Sequence, residues 1–386
     1  VKVGAGVRAG LDPMEAGAAA ARDAAAALAG APVDLTMVFV SGQHLAAPEA
    51  VLDAVHSVLA PRELIGCGAG GVLGTGRELE SGTGLAVWAA SFEGAGDARP
   101  FHATVNDEGG QPAISGLPLL TGASGAVILA DPYSFPTDAA LSAVCEHAPA
   151  VPLLGGIASA RTPDGQAALF LGEEVRDRGA VGISFEGIEL LPCVSQGAAP
   201  LGREVTITAA EGNMIHELAG RPALETIETI IAELSPCERV LIAGGMLIGI
   251  VIDAAKPEYQ HGDFLVRGLL GADPDTGSVA VGASVATGQV VQLHARDAAS
   301  ADEDLHRSLR LRVDAMAGSP PVGALVFSCN GRGSAMFGLP DHDATVVAEE
   351  LRGAPAAGFF AAGEIGPVGG RSFLHGFTAT VAVFPG

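Results

Sequence analysis

Lysine is nearly absent from this chain: Lys2 and Lys256 are the only two in 386 residues. Arginine makes up the rest of the 21 basic side chains, which face 44 acidic ones for a formal charge of -23. A sequence-independent grip on nucleic acid or anionic membrane needs clustered Lys and Arg, so this balance excludes both. No G-x-x-x-x-G-K-[ST] phosphate loop is present. The five cysteines are odd in number and show no C-x-x-C or Cys/His ligand spacing. Zinc and a disulfide framework are therefore not expected, and buried free thiols are. Aromatics make up only 4%, which leaves little to stack on a large flat cofactor. The longest strongly apolar run, 240–252, falls short of the ~20 residues of a membrane span and contains glycines. Residues 1–11 show no basic stretch followed by an apolar one, so no secretory signal is expected, and the expected location is cytoplasmic.

What the chain does have is apolar bulk and glycine. Hydrophobic residues reach 48%, too many for a disordered chain, and the length suggests two or three domains. The alanine and arginine bias points to a bacterial source. Hydrophobic periodicity predicts helices over 16–28, 48–59, 137–146, 301–311 and 342–351. Strands are predicted over 35–40, 64–67, 84–92, 126–130, 151–154, 180–185, 290–297, 324–329, 357–361 and 380–384. Residues 205–231 are expected as one or two helices, with Thr206 and Thr208 near a start. The pattern strand–helix–strand–glycine turn–strand recurs, and a degenerate copy is expected from a strand at 240–242 onward. The expected fold class is α/β (α+β): two domains of mixed sheets with packed helices, built from about four duplicated strand-helix-strand-turn-strand units. The domains are expected at 1–211 and 212–386.

The glycines at 66–76 tempt a dinucleotide reading, but that fingerprint needs a helix after the glycines, and here a strand follows. Ser159, Ser328 and Cys329 are candidate nucleophiles, although no G-x-S-x-G elbow surrounds any of them. The last third is richer. Around Phe327-Ser-Cys-Asn-Gly-Arg-Gly333, Pro340-Asp-His-Asp343, Gly363-Glu-Ile-Gly-Pro367 and Phe373-Leu-His-Gly-Phe-Thr378, polar groups stand beside small residues at the ends of apolar strands. Glycine there lets a ligand approach the backbone closely. Asn330, Arg332, Glu364 and His375 are the candidate ligand-binding residues of this region. Arg332 suits a carboxylate, which it meets with two parallel N–H bonds. Glu364 suits an amino group, or pairs internally with Arg332. Arg267, before an Asp273-Pro-Asp-Thr-Gly277 turn, and His294, on an alternating strand, complete the set. Asp297 or Ser300 is expected to cap the helix that follows.

Taken together, P-L-L-G-G-I-A-S at 152–159, R-G-L-L-G-x-D-P-D-T-G-S at 267–278, Q-L-H-x-R-D at 292–297, F-S-C-N-G-R-G at 327–333, G-E-I-G-P at 363–367 and F-L-H-G-F-T-A at 373–379 closely resemble the FIST family (F-box and intracellular signal transduction proteins). E-L-A-G-R-P-A-L at 217–224 looks like the junction of its N and C domains. The resemblance implies a sensory module that binds a small ligand, an amino acid or related metabolite, and signals through a partner protein or a homo-oligomer. It also offers an alternative, a haem-binding nitric-oxide-type sensor with His294 or His375 as axial ligand. Covalent haem is not expected, because C-x-x-C-H is missing. A hydrolase using Cys329 or Ser328 with His375 is the remaining alternative. The family carries no catalytic residues onto this chain, and no metal is expected.

Overall fold

The computed structural model describes residues 1–108, 111–243, 245–256, 258–259 and 262–386. Contacts divide the chain into two units. One comprises Val1–Val194, Leu305–Leu374 and Thr378–Gly386, and the other Ser195–Asp304 with His375–Phe377.

Three modules make up the first unit. The first runs β1 (Lys2–Ala9), α1 (Pro13–Leu28), β2 (Leu35–Ser41), α2 (Pro48–Leu59) and β3 (Glu63–Ala69). A hairpin of β4 (Val72–Gly74) and β5 (Arg77–Leu79) then precedes β6 (Gly84–Ser91). The second runs β7 (Asp97–Glu108), β8 (Gln111–Ser115), β9 (Gly125–Ala130), α3 (Thr137–His147) and β10 (Leu153–Ile157). Its hairpin is β11 (Leu169–Leu171) with β12 (Glu174–Arg176), followed by β13 (Ala180–Glu186) and the strand β14 (Leu191–Gln196).

The second unit follows: β15 (Ala198–Glu211), β16 (Met214–Leu218), β17 (Arg221–Pro222), α4 (Ala223–Glu233), α5 (Pro236–Ala243), β18 (Met246–Val251), β19 (Phe264–Asp273), β20 (Ser278–Val281) and β21 (Val290–Arg296). The third module closes the chain with α6 (Ala298–Ala315), β22 (Pro321–Cys329), α7 (Ser334–Phe337), α8 (His342–Glu350) and β23 (Ala356–Ala361). Its hairpin is β24 (Glu364–Val368) with β25 (Arg371–His375), before β26 (Thr378–Pro385).

All three modules build their sheet in the same order. The two strands flanking the module helix are parallel: β2 with β3, β9 with β10, β22 with β23. The last strand returns antiparallel beside the first, as β6, β13 and β26. Each hairpin then leaves its own module. β4 pairs with β23, β11 with β3 and β24 with β10, so the exchange is cyclic. Equivalent glycines sit on the three second strands. A Cβ at Gly66, Gly155 or Gly358 would collide with the carbonyl oxygen of Val38, Ile128 or Val326 on the neighbouring strand.

Strands buried on both faces read as unbroken apolar runs, and β2, β6 and β9 are buried at every residue. One face of all three sheets meets in a shared core whose centre is aromatic. Phe39 stacks on Phe359 at 5.1 Å, Trp88 lies 5.1 Å from Phe384, and Phe185 meets Phe384 edge-on at 5.8 Å. Helices cover the other faces: α1 and α2 on the first sheet, α3 on the second, α6 and α8 on the third. The start of α1 follows from sequence, since Asp12 Oδ1 accepts from the Met14 and Glu15 amides and Pro13 occupies the first turn.

The second unit corrects two expectations. Residues 205–218 are the two arms of the β15–β16 hairpin, not a helix, and α4 begins only at Ala223. Val205 and Ile207 are buried while Thr206 and Thr208 face outward, a period of two, and Gly212 at φ 59° makes the turn. Residues 240–242 lie in α5, and the strand starts at Met246. Here β18 runs antiparallel to both neighbours, β19 and β21, so this segment lacks the parallel pair of the three modules and is not a fourth copy. Asp297 does cap α6, accepting from the Ser300 amide at 3.1 Å. The chain is an α/β protein of two units with mixed sheets.

Candidate functional site

Parallel strands aim their carboxyl ends at one crevice, where open sheets place ligands. In the third module β22 ends at Cys329 and turns at once. The Asn330 amide reaches back to the Ala361 carbonyl and the Arg332 amide to the Cys329 carbonyl, each at 2.9 Å. Gly333, at φ 85°, lets the chain lift away into the single turn of α7. The tight turn drives Arg332 inward, and its side chain is 0% exposed.

Asp343, in the first turn of α8, receives it. Arg332 Nε donates to Oδ2 at 2.7 Å and Nη2 to Oδ1 at 2.8 Å. Ser328 Oγ donates to Oδ2 at 2.6 Å, and His342 Nδ1 lies 2.9 Å from Oδ1. Phe337 stacks flat on the His342 ring, and the Arg332 guanidinium stands 5.1 Å from the Phe337 centroid. Burial alone would raise the Asp343 carboxyl; the Arg332 charge and the bonds from Arg332, His342 and Ser328 override it and hold it well below the usual carboxylate range.

Glu364 is fully buried at the start of β24. Its Oε2 accepts from the Thr378 amide at 3.1 Å and the Thr378 hydroxyl at 2.8 Å. Burial pushes this carboxyl up to about 8, against the opposing effects of Thr378, the Cys329 thiol and the Arg332 charge. Each of these two side chains keeps one further polar atom: Arg332 Nη1 and Glu364 Oε1 are buried and have no nitrogen or oxygen partner among the described residues.

The first module's exchanged hairpin completes the surroundings. Glu78, on β5, accepts from the Ala344 amide at 2.9 Å and so caps α8 from outside. Burial raises its carboxyl to about 7 against that bond. Glu80 holds the first residue of α7, accepting from the Ser334 amide and hydroxyl at 2.8 Å each.

Of the sequence candidates, Asn330, Arg332 and Glu364 belong to the first unit, with Asn330 exposed at the turn. Arg332 has Asp343, rather than Glu364, as its carboxylate partner. Ser328 donates to Asp343 and not to a histidine, the order Ser–Asp–His instead of the Ser–His–Asp a hydrolase needs. Ser159 accepts from the Gly70 amide and donates to the Phe360 carbonyl, clipping two strand ends together.

Arg267, His294 and His375 belong to the second unit. Arg267 is half-buried on β19, its Nη1 donating to the Val266 carbonyl at 3.1 Å. His294 is 1% exposed, with Nδ1 3.1 Å from the Gln292 carbonyl and its ring edge-on to Phe264. That ring fills the space over Gly249, where a Cβ would strike it. A ring so enclosed does not fit the open axial face a macrocycle requires. His375 is likewise buried.

Sequence reasoning passed over Asp343 and His342 as site residues, although Pro340-Asp-His-Asp343 carried the signal. Glu78 and Glu80 carry none, because the exchange of a hairpin between modules has no local signature.

Comparison with known proteins agrees with this picture. The family model described as FIST N domain matches residues 34–221, and the FIST C domain matches 223–367. The uncharacterised protein Rv0628c of Mycobacterium tuberculosis is 40% identical over 385 residues, 100% of both chains. The uncharacterised protein Mb0898c of Mycobacterium bovis is 40% identical over 388 residues, 100% of this chain and 99% of that one. The chain belongs to the FIST family, whose two domains are associated with sensing in signal transduction.

Proposed function

We propose that this protein is a cytoplasmic sensor that binds an amino acid or related small metabolite at Arg332 and Glu364 and signals through a partner protein. One observation carries the reading. Arg332 Nη1 and Glu364 Oε1 are both buried and both lack a nitrogen or oxygen partner, in a neighbourhood where the Arg332 charge acts on Glu364. A buried polar group left unpaired costs about 1–3 kcal/mol, which a ligand that pairs with both atoms would recover. A ligand carboxylate oxygen meets Nη1, and a second polar group of the ligand meets Oε1, which donates while the Glu364 carboxyl holds its proton. Asn330, exposed at the turn two residues before Arg332, offers the ligand a side-chain amide.

The test is a thermal-shift screen against amino acids and small carboxylates. A ligand at a hundredfold excess over Kd raises stability by about 2.7 kcal/mol. Glu364→Gln and Asn330→Ala should each shrink that shift. A hit whose shift is unchanged in both variants would place its binding elsewhere.

A further inference from the structure

The second module has a crevice at the position where the third holds Arg332 and Asp343, and we propose that it binds a second small molecule: a neutral, mainly apolar compound with a carboxamide-like acceptor head. The proposal uses none of the residues assigned to the first site and stands or falls apart from it. A cleft of about 500 Å³ opens beyond the carboxyl ends of β9 and β10, lined by Pro132, Phe135, Ile157 and Leu374 together with the first turn of α3, Thr137 to Ala139. This is the crevice where parallel sheets place their ligands, and its volume suits a compact molecule.

Two observations point to what the cleft takes. The first is the end of α3. Pro136 precedes the helix and offers no side-chain acceptor, and the Asp138 and Ala139 amides have no acceptor within the helix. The second is Thr137, which lines the cleft, is 5% exposed and keeps a hydroxyl with no partner among the described residues. Where it stands, that hydroxyl does not touch water. A single rotation about χ1 exchanges hydroxyl and methyl, and threonine in a helix populates two such rotamers.

The third module supplies an internal precedent. There the exchanged hairpin brings the Glu78 carboxyl to the Ala344 amide at the start of α8. In the second module the exchanged hairpin brings Leu374 to the start of α3, so among the described residues this hairpin lends apolar surface there and no carboxyl. The missing acceptor is the ligand's head, and its apolar body lies on Leu374, Ile157 and Phe135. Neutrality follows from the neighbours. Asp138 lines the cleft and repels an anion, while it accepts from an amide N–H. The walls are set in advance, because Asp131 accepts from the Tyr133 and Ser134 amides and pairs twice with Arg161, at 3.0 and 3.1 Å.

Isothermal calorimetry at neutral pH with hydrocinnamamide and hydrocinnamate, which share one body and differ in head charge, tests this. The amide should bind one to one, and the acid about tenfold more weakly or not at all. Thr137→Val should weaken the amide about tenfold without lowering Tm, since it removes an unpaired hydroxyl. Ala139→Trp, at an exposed helix position, should block the cleft and abolish binding. Absence of binding by the amide, an acid bound as tightly as the amide, or an unchanged affinity in Ala139→Trp would each overturn the proposal.

Discussion

Arg332 is held by both oxygens of Asp343 with neither side chain exposed to water, and its removal is correspondingly one-sided. Arg332→Ala leaves a buried carboxylate with only Ser328 and His342 to meet it and without the guanidinium charge that holds it ionised. Breaking such a pair costs about 3–5 kcal/mol, so the variant should lose that much in urea denaturation. A loss below about 1 kcal/mol would mean that the site relaxes or admits water, and the pair would not be structural. For this reason Asn330 and Glu364, not Arg332, are the positions at which to read binding. The arginine itself was legible, because a scarce basic residue between two glycines at a strand end has few uses. Its partner was not. Glu364 offers the obvious internal carboxylate, and only the inward turn at Asn330–Gly333 shows that Asp343, eleven residues on, takes that place.

At the scale of elements, the three modules depend on a strand glycine apiece. Gly358 lies opposite Val326 in the parallel pair of β22 and β23, where an added Cβ meets the Val326 carbonyl. Backbone cannot yield as a flexible side chain does. Gly358→Ala should therefore cost at least the 1–3 kcal/mol typical of overpacking, read as a fall in the urea midpoint. Gly271→Ala, at an exposed position of β19 with no positive φ and nothing within 4 Å, is the control for general strand-glycine effects and should cost less. Most strands here were readable because burial on both faces leaves long apolar runs. The failures have local causes. In β15 the threonines resemble a helix start, yet Val205 and Ile207 alternate inward, and the Gly212-Asn213 turn that makes the hairpin is only two residues long. In α5 the short apolar run 240–242 reads equally well as strand or helix, the ambiguity that periodicity cannot resolve over so few residues.

At the scale of the whole molecule, the cyclic exchange of hairpins carries carboxyl groups into buried positions. Glu78 on β5 and Glu364 on β24 both lie on exchanged strands, and burial raises them to about 7 and about 8. In the unfolded chain each ionises near its ordinary value, so between that value and the folded one the native state holds protons that the unfolded state has released. Stability then falls as pH rises, at about 1.4 kcal/mol per pH unit for each such proton, and levels off above the folded values. The prediction is a Tm that declines from pH 6 to pH 9 in calorimetry. The charge of -23 pushes in the same direction through self-repulsion, so wild type alone does not separate the two causes. The double variant Glu78→Gln, Glu364→Gln does, because it keeps two neutral hydrogen-bonding groups in place and removes both titrations. Its Tm should decline less steeply than that of wild type across this window. Equal slopes would assign the decline to net charge and leave the two buried carboxyls without a part in it.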